Sequence, residues 1–261
     1  MNTVLYVGTM FIVYTLCEKY WPGPKWRAWV LGILTSMIVA GGIGYYQGRT
    51  QGSDCIKNAE CALKEVTKFS PAFGAMMKAD PALEKEFVTY FNAEAAKPNP
   101  NYYQIGLGFF AKYVQPVLRQ ASAPYLFPMM KQEEKFVQSV CTNDIDWANG
   151  YFLGTSADIT KLSPESKAEY EKFITMKSDA YMEGKNRPAY VPPSKKEGER
   201  LAMEVFVNNP KVTFTAEELN SMDMKDKSPA QNCITMRKLY KAMVSIQPDD
   251  AVAYYKAVVL E

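Results

Sequence analysis

The sequence predicts an all-α protein: an N-terminal two-helix transmembrane hairpin followed by an irregular multi-helix soluble domain. Three observations predict it. Residues 1–17 and 28–48 carry no charged side chain. Helix-start signals recur along the rest of the chain, each a capping side chain ahead of proline. Strand signals reduce to one short run, Lys211 to Thr215, and a lone strand cannot form a sheet.

The hairpin is assigned to residues 1–48, with spans over about 2–17 and 28–48. The second run has 21 residues, and at 1.5 Å per residue it covers about 30 Å, the thickness of the hydrocarbon core. Pro22, Gly23 and Pro24 make the turn between the spans, because proline cannot continue a helix and glycine permits the reversal. Tyr20, Trp21, Trp26 and Trp29 cluster at that end, as aromatic side chains do at headgroup level. Gly32, Ser36, Ala40 and Gly44 recur at every fourth position of the second span. On a helix they form one stripe of small residues, along which another backbone can approach closely and pack.

A hairpin returns the chain to its starting side, so residues 49–261 share a compartment with the N-terminus. The connecting loop carries Lys19, Lys25 and Arg27, against Arg49 and Lys57 just after the second span. This bias favours a cytoplasmic loop. Cysteine usage points the same way. Cys55, Cys61, Cys141 and Cys233 lie beyond the spans, an even number that fits two disulfides in an oxidising space. A helix across 54–69 would point Cys55 and Cys61 about 120° apart, so each is expected to bond to the distant Cys141 or Cys233. The expected location is the inner membrane, with N-terminus and helical domain on the periplasmic side.

Within 49–261 the starts are Ser70-Pro71, Asp80-Pro81, Ser163-Pro164 and Ser228-Pro229, and Ser228 with Gln231 and Thr215 with Glu218 fit capping boxes. Leu83, Phe87, Tyr90 and Phe91 share a face, as do Phe173, Ile174, Met176 and Tyr181 before a stop at Gly184. Pro116 is expected to kink or end the helix that begins near Asn101. Cys233, Leu239, Tyr240, Met243 and Val244 continue the pattern, and the last run, 250–260, is Asp-capped and apolar. The proline-rich stretch 185–194 reads as extended surface chain and divides the domain into lobes 53–184 and 195–261, which a bond from Cys233 to the first lobe would join into one unit.

The charge sum, 30 basic minus 28 acidic residues, gives +2. No basic field exists to hold a nucleic acid. Histidine is absent, which removes Ser-His and Cys-His pairs, HExxH zinc sites and histidine proton shuttles. Asn143, Asp144, Asp146, Asn149 and Gly150 begin like a calcium loop, but Thr155 stands where a bidentate Glu is needed. The adjacent carboxylates Glu133-Glu134 and Glu217-Glu218 diverge by 100° on a helix and do not face one substrate. No catalytic residue, metal ligand or cofactor is expected. Tyr102, Tyr103, Phe109, Phe110, Tyr125 and Phe127 are the candidates for a contact surface. The expected function is a non-catalytic, membrane-anchored scaffold or accessory subunit of a cell-envelope complex. Its partners are other membrane or envelope proteins, a second copy of itself, and the lipid bilayer. A lipid or apolar-ligand binding module is the alternative, and a histidine-independent enzyme the second.

Overall fold

The computed structural model describes residues 58–260 apart from 70, 99, 101, 154–158, 216–217, 220–223 and 225–226. The expected spans, the stripe Gly32, Ser36, Ala40 and Gly44, and Cys55 lie outside the described residues. Among the described residues the regular structure is helical, with no strand. None of these helices is long and apolar enough to cross a membrane.

The helices are α1 (Ala59–Phe69), α2 (Pro71–Ala79), α3 (Pro81–Ala95), α4 (Tyr102–Phe109), α5 (Gln115–Leu118) and α6 (Ala123–Asn143). They continue as α7 (Ile145–Phe152), α8 (Pro164–Gly184), α9 (Lys195–Phe206), α10 (Pro229–Met243) and α11 (Pro248–Tyr254). A π turn, Phe110–Val114, joins α4 to α5, and another, Tyr255–Val259, closes the described chain. Several starts follow the sequence signals directly. Asp80 caps Leu83, Ser163 caps Ser166, and Ser228 and Gln231 form a full capping box. Thr215 and Glu218 also exchange side-chain-to-backbone bonds, at 2.7 and 3.1 Å.

The spine is the antiparallel pair α6–α8. Ser122 Oγ donates to Glu183 at 2.9 Å, Ser139 meets Ser166 at 3.0 Å, and Ser163 Oγ donates to Asp144 at 2.8 Å. As one number rises the other falls, which fixes the direction. At each end of the pair a carboxylate near the last turn of one helix holds the serine that starts the other. α2 and α5 pack on α8, α10 and α11 pack on α6, α7 packs on α10, and α9 packs on α11. One continuous hydrophobic core runs from Ala59 to Leu260.

Cys141 and Cys233 are bonded to each other, with Cα atoms 5.4 Å apart. This corrects the expectation that Cys55 and Cys61 each pair with one of them. Packing of α10 on the end of α6 brings together two cysteines that are 92 positions apart. Cys61 is disulfide-bonded as well.

The structure adds detail at four places. The helical run continues through Pro116 to Leu118, so the proline does not end it on the spot. The π turn just before it widens the backbone, which relieves the clash between the ring and the preceding turn. Gly184 belongs to α8 and is buried, and a Cβ there would overlap the Val117 carbonyl oxygen. It is the last residue of α8, as its reading as a stop expects, and it also permits the close approach of α8 to α5. Met176 is 36% exposed rather than core. Lys211 to Thr215 is irregular chain that inserts Val212 and Phe214 into the core.

Residues 190–194 run without regular structure, with Val191 at 81% exposure. Tyr190 holds this stretch down. Arg119 and Lys256 each lie 5.8 Å from its ring.

Candidate functional site

The strongest chemical anomaly lies inside the core, where α6, α8, α10 and the C-terminal π turn meet. Glu133 points inward from α6 and is 1% exposed. Its position follows from helical spacing, since Met129, Met130, Phe136 and Val137 occupy the same buried face. Tyr240 of α10 donates to one carboxylate oxygen at 3.1 Å, and Tyr255 of the π turn donates to the other at 2.8 Å. Lys177 enters from α8 and is 3% exposed. Its Nζ lies 4.4 Å from the ring centre of Phe110 and 5.2 Å from that of Phe173. Among the described residues no hydrogen-bond acceptor reaches it.

Burial dominates the electrostatics. It pushes the Lys177 amine well below its ordinary 10.5, and the field of Glu133 opposes this only in part. It also pushes the Glu133 carboxyl up, against the opposing pull of Lys177, Tyr255 and Tyr240. Burial and the neighbouring Glu133 drive the Tyr240 and Tyr255 hydroxyls well above 10. The tyrosines therefore stay neutral, as donors to Glu133. Glu133 ties three segments, α6, α10 and the final turn, to one point, and α8 adds Lys177 without a hydrogen bond. The arrangement presents no reacting atom to solvent.

A second polar junction joins α2, α3 and α8. Asp80 accepts a hydrogen bond from Tyr181 at 2.7 Å and an ion-pair contact from Lys185 at 2.7 Å, while capping α3. Burial pushes its carboxyl up, but Lys185, Tyr181 and the Leu83 N–H together hold it below its ordinary 3.8.

The surface carries an open cleft of about 490 Å³ at the corner where α6 turns into α7. Asp144, Ile145, Asp146, Trp147 and Lys161 are among its lining residues. Ile145 is 38% exposed there. Trp147 stacks on Tyr151 at 5.0 Å and meets Phe136 edge-on at 5.9 Å, so its indole is fixed in place. The calcium-like start falls in this corner. The Asp144 carboxylate is already filled by the backbone and hydroxyl of Ser163, at 3.0 and 2.8 Å. Among the described residues no cluster of acidic or cysteine side chains could hold a metal ion.

The expected contact surface is divided by the structure. Phe109 and Phe110 are core residues, 1% and 4% exposed, and this corrects their assignment to a surface. Phe109 packs edge-on against Phe87 at 5.1 Å, in the seam between α3 and α4. The helix is buried because Gly108 lets it press against Tyr90, whose hydroxyl occupies the space a Cβ would need. Tyr125 is exposed, and Phe127 is half-buried with Lys131 Nζ 4.6 Å from its ring centre. Tyr102 and Tyr103 open α4, and their side chains lie outside the described part.

The sequence reading missed Glu133, Lys177 and the Trp147 cleft. The signal for the first two is present: each is a charged residue in the middle of an apolar helical face. The chain matches no protein-family model, no curated protein and no solved structure.

Proposed function

We propose that the chain is a non-catalytic, membrane-anchored scaffold or accessory subunit of a cell-envelope complex. In this reading residues 1–48 form the transmembrane hairpin and the helical domain stands on the periplasmic side. The anchor is supported by the two uncharged runs and by the small-residue stripe Gly32, Ser36, Ala40 and Gly44. The periplasmic side is supported by the Cys141–Cys233 bond, since disulfides persist in oxidising compartments.

The observation that carries the reading is where the perturbed ionisable groups sit. Glu133 and Lys177 are 1% and 3% exposed and are shared among α6, α8, α10 and the final turn. Glu133 links α6 to α10 and the final turn from inside the core, and neither group faces a substrate. A rigid body suits a part that positions partners, and the Trp147 cleft with Ile145 and Asp146 at its edge offers a preformed feature for one of them.

The test is photo-crosslinking in native membranes, with a photoreactive residue at Ile145 or Asp146 and a control at exposed Lys196. A discrete cross-linked partner band from the cleft positions and none from Lys196 supports the reading. Equal, diffuse labelling from all three positions refutes the cleft as a docking feature. Turnover of a small molecule that is lost in Lys177→Met would replace the reading with the enzymatic one.

A further inference from the structure

Lys177 is a buried amine whose protonation the scaffold reading leaves unused. A charged lysine carries three N–H donors and no acceptor. Among the described residues none of these donors finds an acceptor in the core. The carboxylate that could serve, Glu133, acts on Nζ through space, and each of its oxygens already takes a tyrosine hydroxyl. Phe110 and Phe173 offer only their ring faces. A desolvated cation–π contact returns only part of what burying an ion costs. Burial wins, and the seat fits an uncharged amine.

We infer that Lys177 is the proton-uptake point of an acid-responsive latch: when Nζ gains a proton, the junction of α6, α8 and the C-terminal π turn opens. The latch is local because the same junction holds the end of the described chain. Tyr255 reaches Glu133 from that turn, and Lys177 feels the charge of Glu133 while its Nζ lies 4.4 Å from the ring centre of Phe110. Opening would release water into one seam and let a charged Nζ find acceptors there.

The surrounding groups define which protons matter. α6 contributes Glu133, α10 contributes Tyr240, and the final turn contributes Tyr255. α7 contributes Tyr151, which interacts electrostatically with both of those tyrosines. On α8 itself Tyr170 is buried and its hydroxyl is pushed up by burial. α2 carries Lys78, which is exposed, and α5 carries Gln115, with Arg119 after it lying over Tyr190. Among the groups at the junction, Lys177 is pushed down and Glu133 is pushed up by burial, so these two move toward each other. Their signs are opposite. Lys177 is depressed in the folded state, so stability falls as pH drops from the ordinary 10.5 toward its folded value. Glu133 is raised, so stability falls as pH rises from the ordinary 4.5 toward its folded value. Where the windows overlap they cancel, and Glu133 must be neutralised to expose the lysine.

The experiment therefore compares full-length Glu133→Gln with Glu133→Gln/Lys177→Met in mild detergent, by urea unfolding between pH 5 and 9. Glutamine keeps an acceptor for one tyrosine hydroxyl. The expected result is an unfolding constant that rises about tenfold per pH unit of acidification in the single variant, relative to the double variant. Identical profiles for the two overturn the inference. A second measurement does not depend on either variant folding: the side-chain carbon and nitrogen shifts of isotopically labelled Lys177 in the unaltered chain. A neutral amine at pH 9 that takes up a proton on acidification, with faster exchange of α8 amides, supports the latch. An ammonium that persists through pH 10 overturns it.

Discussion

Replacing Cys141 and Cys233 together by alanine removes the covalent tie between α6 and α10 and leaves Cys61 untouched. The bond closes a loop across 92 positions. With the loop-closure relation, 2.1 + 1.5R ln n for n = 92 gives about 15.6 cal/mol/K, or about 4.6 kcal/mol at 25 °C. This is the entropy the bond removes from the unfolded chain, and measured values for such bonds are generally about 2–4 kcal/mol. Loss of the two sulfurs from a buried site, 8% and 4% exposed, adds a smaller packing cost. The assay is urea unfolding of the full chain in mild detergent, followed by helical circular dichroism under non-reducing conditions. The double alanine variant is expected to lose about 3–5 kcal/mol, with a steeper denaturant slope because its unfolded state is more expanded. The variant is preferable to a reducing agent, which would also open the bond at Cys61. A loss below about 1 kcal/mol would refute the reasoning, as would labelling of Cys141 or Cys233 by a thiol reagent in the unfolded, unreduced chain.

Other outcomes follow from the same geometry. Gly184→Val should destabilise by about 3 kcal/mol or more, because its side chain must push the α5 backbone away; the thermal midpoint measures this. Ser228→Ala should cost about 1 kcal/mol by removing a capping box, read by the same denaturation. Asp80→Asn should cost about 3 kcal/mol, since it leaves Lys185 and Tyr181 without their charged acceptor. The Asp80 carboxyl is depressed on folding, so its contribution is complete above the ordinary 3.8 and is lost as pH falls through the lower folded value. An acid titration of stability should be shallower below pH 4 in Asp80→Asn than in the unaltered chain, and equal slopes would contradict the assignment.

The legible part of the fold was local. Asp80, Ser163 and Ser228 announce their helices because the capping oxygen and the proline act within one turn. The spine was legible only as two separate stripes. Its direction depends on Ser122 with Glu183 and Ser163 with Asp144, and no spacing within either helix encodes those meetings. The cysteine pairing was misassigned for the same reason, as it is set by how α10 lies on α6. Phe109 and Phe110 read as part of a contact surface because aromatic side chains crowd the stretch from Asn101 to Tyr113. The glycine at 108 marks a close approach to Tyr90, which buries that helix instead. Glu133 and Lys177 were the clearest signal left unused. A charge at the centre of a periodic apolar face has no solvent to point to, so it must be buried with whatever partners tertiary packing supplies.

The central claim is that this chain is held in a membrane and works by holding other proteins. The mass of the species extracted from native membranes by mild detergent tests it most directly. The account predicts a membrane-bound chain, resistant to alkaline carbonate, that migrates well above its own 29.4 kDa plus micelle with defined partners or a second copy. It also predicts that the complex weakens when Gly32 and Gly44 are replaced by leucine. A chain released by carbonate, or a solitary monomer indifferent to those replacements, would contradict it.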